Sequence, residues 1–71
     1  MHYNKEITKV TTPELGDQLP IFDNSYNKDY VATIENEDHG DYSIDWLIIK
    51  DLDGNETRRY NCRYLLSIVW G

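Results

Sequence analysis

The chain has 71 residues, with seven Lys or Arg against thirteen Asp or Glu for a formal net charge of −6, two histidines and one cysteine. Such a length makes one domain, residues 1–71, that removes about 60 % of its unfolded surface on folding and reaches a stability on the order of 5 kcal/mol. A single thiol excludes an internal disulfide, the Cys and His content excludes a structural zinc framework, and the charge opposes nucleic acid and anionic membrane as direct partners.

Tyr3 to Thr11 is polar and alternating, with Ile7 and Val10 as aliphatic anchors, which predicts a first strand at a sheet edge. Thr12-Pro13-Glu14 has the form of a helix start, with Thr as N-cap and Pro at the first helical position. Gly16 follows within a turn, so a 3-10 turn at most is expected. Gln18 to Asp23 is short and interrupted by Pro20, and predicts an edge segment whose Ile21 and Phe22 plug one end of the core. Asn24 to Asn27 is a turn by composition. Asp29 to Glu35 predicts a strand with Tyr30, Ala32 and Ile34 on one face and Val31 and Thr33 on the other; Asn36 to Asp41 predicts the turn after it.

Most of the apolar weight lies between Asp41 and Trp70. Two β-rich runs there flank Asp53-Gly54, a strong hairpin signal. Tyr42, Ile44, Trp46 and Ile48 share one face at period two, while Leu47 and Ile49 make the opposite face apolar as well, as in a central strand. The return strand, Glu56 to Tyr60, is polar and partly exposed; Asn61-Cys62-Arg63 is a tight turn or bulge before a last strand, Tyr64 to Trp70. Trp46 and Trp70 are expected in the core, with one face of Trp70 open to a partner.

Four or five short strands without a convincing helix predict an all-β fold: a strongly bent antiparallel sheet, or a small SH3-like or OB-like barrel. The order of strand, Asp-Gly turn, short strand, tight turn and last strand resembles the second half of SH3-like and Sm-like barrels. A flat meander that completes its core by forming a homodimer is the alternative.

Charge is unevenly placed. Residues 1–40 hold three basic side chains against eight acidic, and residues 41–71 hold four against five. Between Glu14 and Asp45 there are nine acids and one lysine, a field that attracts basic protein surfaces. Asp29, Glu35, Glu37, Asp38 and Asp41 are therefore the expected partner contacts. The opposite cluster, Arg58, Arg59, Tyr60, Arg63 and Tyr64, suits stacking on bases and phosphate contact, unless Asp51, Asp53 and Glu56 neutralise it within the hairpin. Asp51-Leu52-Asp53-Gly54-Asn55-Glu56 shares pieces with an EF-hand calcium loop but lacks its third early ligand, its glycine spacing and its distal Glu.

His39 lies among acids, which suits a pH response, while His2 stands near the terminus. Neither has a spaced second His or a Cys, so no metal and no cofactor is expected. Arg63 beside Cys62 would favour the thiolate, but no His is near, and a buried structural thiol is the expectation. With no nucleophile–base pair, phosphate loop or metal set, the chain is not expected to be an enzyme. A free thiol without an apolar leader suits a soluble cytoplasmic protein. In size, acidity and lack of catalytic residues it resembles phage-encoded inhibitors of host defence nucleases and immunity proteins of nuclease toxins. That likeness implies an inhibitor that docks on the basic surface of a nuclease or other nucleic-acid-binding protein by mimicking phosphates. The alternative is a regulatory barrel module that binds nucleic acid or peptide through the Arg/Tyr hairpin.

Overall fold

The computed structural model describes residues 6–16 and 18–71. Among these residues six strands form in chain order: β1 (Ile7–Thr11), β2 (Phe22–Asp23), β3 (Tyr30–Asp38), β4 (Ser43–Asp51), β5 (Glu56–Asn61) and β6 (Ser67–Trp70). They make two three-stranded antiparallel sheets, ordered β2-β1-β6 and β3-β4-β5. A 3-10 turn at Cys62–Tyr64 links the sheets, with the Asn61 side chain accepting from the Arg63 N–H at 3.0 Å as its cap. The fold is thus all-β, but the four or five strands expected of one bent sheet are six strands in two sheets. Among the described residues, no strand of one sheet pairs with a strand of the other, so the sheets do not close into a barrel.

The core lies between the sheets, as two apolar faces require. Ile7, Val10 and Phe22 come from one sheet and Ala32, Leu47 and Ile49 from the other. Ile21, Ile68, Tyr60, Cys62 and Leu65 pack around them, the last two from the crossing between sheets. The Thr11 hydroxyl is buried and meets the Ser67 hydroxyl at 2.6 Å, which satisfies both across β1 and β6.

Several local expectations hold. Phe22 is buried from an edge segment, and β4 is the central strand of its sheet. Gly16 ends a single turn as expected, but its N–H reaches the Thr12 carbonyl four residues back at 2.8 Å, an α-turn and not a 3-10 turn. The Asp53-Gly54 loop forms with Gly54 at φ +88°, and the Asp51 carboxylate accepts from the N–H groups of Asp53 and Asn55. The stretch that shares pieces with a calcium loop is thereby organised by its own backbone.

Others change. The first strand begins at Ile7, with Tyr3 to Lys5 outside the described residues, and it is the middle of its sheet rather than an edge, because β6 returns to its free side. β3 runs on to Asp38, so the turn after it is the short connection Gly40-Asp41, with Gly40 at φ +86°. Glycine at the first loop position of a two-residue hairpin suits the twist of the flanking strands. Tyr64 belongs to the 3-10 turn, and the last strand starts only at Ser67. Trp70 is 48 % exposed, and Trp46 lies on the outer face of β4, not in the core. Their large rings lose the interior to Leu47 and Ile49, which face Ile34 and Ala32 across the β3–β4 pair.

Leu47 is fully buried at the centre of β4, so Leu47→Ala should cost about 3 kcal/mol and bring the domain close to unfolding in a urea titration. Thr33 Oγ1 is buried with no hydrogen-bond partner among the described residues. Thr33→Val should therefore be neutral or stabilising by about 1 kcal/mol in the same measurement.

Candidate functional site

The β3–β4 hairpin carries the expected acidic residues. Pairing runs without a shift from Tyr30–Asp51 to Asp38–Ser43, but β5 joins β4 only from Trp46 to Lys50. Beyond Trp46 the hairpin continues as a two-stranded ribbon, exposed on both strands except at half-buried Ile44. The β4 flank of this ribbon looks onto the 3-10 turn across a hollow bordered by Asp45, Cys62 and Arg63. The β3 flank is open among the described residues.

Asp29, Glu35, Glu37, Asp38 and Asp41 are all exposed, but they do not form one cluster. Asp29 precedes β3 and stands about 30 Å from Asp38 at the usual rise of a strand. Glu35 and Glu37 project to the outer face, and Asp38 has the opposite parity and accepts from the Gly40 N–H at 2.8 Å. The group nearest the hairpin tip is Glu37, Asp38 and Asp41, with Asp45 accepting from Asn36 Nδ2 at 2.8 Å.

Glu37 is the most constrained of these. Its Oε2 accepts from the Trp46 indole N–H at 2.7 Å and its Oε1 meets His39 Nε2 at 2.9 Å, an ion pair whenever that imidazole is protonated. The His39 ring stacks on Tyr42 at 4.7 Å, closing the hairpin end. The Trp46 ring in turn carries Arg59 over it at 5.2 Å, and Arg59 makes two hydrogen bonds to Glu56, of 2.8 and 2.6 Å. Tyr42, His39, Glu37, Trp46, Arg59 and Glu56 thus form one continuous chain of polar and stacking contacts across three strands. Beneath it Ile48 is only 3 % exposed although it lies outside the core cluster, with Thr33 and Arg59 in register on either side.

These contacts account for the perturbed acidities. The Trp46 indole N–H above all, then His39 and Arg59, holds the Glu37 carboxyl below its ordinary range. Arg59 does the same to Glu56, and Glu56 raises Arg59. At Cys62 burial first, and then Asp45, push the thiol up, against the effect Arg63 alone would have, as suits a structural rather than a reactive thiol.

The Arg/Tyr set divides. Arg58 and Tyr60 take the core-side parity of β5, where Tyr60 packs against the core, while Arg59 turns to the outer face. Arg63 and Tyr64 are exposed in the 3-10 turn. Arg59 is neutralised along its own strand, by Glu56 three residues earlier, rather than across the hairpin. What gathers Arg58, Arg59, Tyr60 and Tyr64 is the edge of β5, where all four border a hollow with Leu15 and Pro20.

Sequence reasoning missed Trp46 as a surface residue and Arg59 and Glu37 as neighbours of the same ring. The signal was present in the short Gly40-Asp41 connection, which sets Glu35 opposite Trp46 and Glu37 opposite Ile44. Among the described residues, no three His, Cys, Asp or Glu side chains converge to hold a metal ion, and no helix is long and apolar enough to cross a membrane.

Because the folded pKa of Glu37 is depressed, its contribution to stability is complete above the unfolded value and fades as pH falls through the folded one. The window therefore lies below its ordinary 4.5. Carboxyl NMR should show Glu37 titrating below that value, and Trp46→Phe should return it upward; an unmoved midpoint would show that the indole does not hold it. A scan against known protein families, a search of curated proteins and a search of solved structures each find no match, so the functional reading rests on this face and its charges.

Proposed function

We propose that the protein is a small acidic interaction module, an inhibitor that docks its β3–β4 hairpin on a basic surface of a nucleic-acid-processing partner and occupies the place of phosphates. The observation that supports this most is the charge of the hairpin. From Tyr30 to Asp51 the hairpin holds six carboxylates, five of them exposed, against one cation, Lys50. Two cations that reach this sheet are already engaged, Lys50 with Glu35 at 3.7 Å and Arg59 with Glu56. Carboxylates spaced along a ribbon offer a basic groove the charge that a nucleic-acid backbone would, without catalytic equipment. In this reading the partner is a nuclease or similar protein, of the kind that phage anti-defence inhibitors and nuclease-immunity proteins bind, and the site of action is cytoplasmic.

A second reading takes the two sheets as an SH3-like or Sm-like barrel left unclosed between its sheets, binding peptide or nucleic acid at the β5 edge. The hollow bordered by Leu15, Pro20, Tyr60 and Tyr64, with Arg58 and Arg59 beside it, favours that alternative.

The two readings part on mutation. Glu35→Gln/Asp38→Asn/Asp41→Asn should weaken capture of the partner from lysate about tenfold or more and leave the melting temperature within a few degrees, since all three side chains are exposed. The captured protein should survive nuclease treatment and be displaced by added duplex DNA or RNA. Full binding by the triple variant, with loss in Arg58→Ala/Arg59→Ala, would instead place the function at the β5 edge.

A further inference from the structure

The open side of β3 has a backbone polarity that the hairpin turn fixes. The His39 N–H donates to the Tyr42 carbonyl at 2.9 Å, and the pairing continues from there in unbroken register. Antiparallel pairs alternate between those that exchange hydrogen bonds and those that do not. Counting back from His39, residues Glu37, Glu35 and Thr33 turn their backbone groups toward β4. Ile34, Asn36 and Asp38 turn theirs away from it. Among the described residues no strand pairs on that side, and all three side chains are exposed.

We propose that this edge accepts an extended basic segment of the partner protein as an added strand, with Lys or Arg at alternate positions. The inference rests on the acidic docking reading above and adds how the partner is held. Main-chain bonds to Ile34, Asn36 and Asp38 supply attachment, and the flanking carboxylates supply selection. Glu35 and Glu37 line one face of the added strand's path and Asp38 the other. A second copy of this chain is disfavoured as occupant by the same charges, because β3 laid against β3 sets carboxylate near carboxylate. Opposite charge removes that penalty, so the edge discriminates between its own copies and a cationic strand. The β5 edge offers no such selection, since Glu56, Arg58 and Arg59 mix both signs there.

The test uses the full chain and a ten-residue peptide of alternating Lys and Thr. Binding is followed by amide exchange, beside the same peptide N-methylated on every second residue. Ile34, Asn36 and Asp38 amides should gain about tenfold or more protection with the unmodified peptide, and N-methylation of its pairing edge should abolish this. Asn36→Pro removes an outward N–H while keeping the net charge and the β3–β4 ladder, and should bind about tenfold more weakly than Asn36→Ala. Should Asn36→Pro fail to fold, the N-methylated peptide alone decides the question. Binding that ignores both Asn36→Pro and N-methylation overturns strand addition and leaves acidic docking standing. No binding at about 1 mM peptide overturns the inference as well. Unchanged peptide binding by Glu35→Gln/Asp38→Asn/Asp41→Asn overturns the docking reading on which it rests.

Discussion

The pairing register of β3 with β4 is the constraint on which the rest depends. Nine consecutive pairs run from the Gly40-Asp41 turn without a bulge, and side chains alternate faces along both strands. A slip of one residue would exchange the faces of the whole hairpin. Leu47 and Ile49 would then leave the core and Trp46 and Ile48 would enter it, with carboxylates brought toward the interior. The two-residue connection and the positive φ of Gly40 hold the register where the core needs it. Both the apolar interior and the polar outer face follow from that choice.

This explains what was legible beforehand and what was not. The all-β class, the central position of β4, the buried Phe22 and the Asp53-Gly54 loop could each be read from local pattern, because each depends on short-range chemistry. The face on which Trp46 would fall could not be read from β4 alone. Both of its faces are apolar from Trp46 to Ile49, and period-two alternation cannot rank them. Only the neighbour decides: Ala32 and Ile34 accompany Ile49 and Leu47, whereas Glu35 accompanies Trp46. The edge expectation for β1 failed for a related reason, since pairing with the distant β6 leaves no trace in the local pattern of Ile7 to Thr11. For the acids, exposure was readable from composition, but their division between two faces and two ends of the hairpin required the extended length of β3.

The outer face shows how a small domain tolerates a large ring at its surface. Trp46 is held at its N–H by Glu37 and over its ring by Arg59, so both its polar edge and its π-face have partners. Arg59 sits over that ring while its guanidinium is bonded to Glu56. Ile48 is buried beneath this arrangement without belonging to the main core. Meanwhile the hairpin tip retains carboxylates that this network does not use, which leaves its charge free to act outward.

The ladder between β1 and β6 carries a consequence for how the chain reaches this state. It joins Ile7 to Trp70, and the Glu6 and Gly71 backbones exchange hydrogen bonds of 3.2 and 2.9 Å beyond it. The β3-β4-β5 meander, by contrast, is built from neighbours in sequence. Contacts between distant parts of a chain carry the entropy of closing the intervening loop, whereas hairpins close cheaply. The meander is therefore the part that can order early, and the sheet that unites the two ends is the part that completes last. Ile7, Val10 and Phe22 come to the core from that sheet, so half of the interior depends on the long-range pairing of β1 with β6.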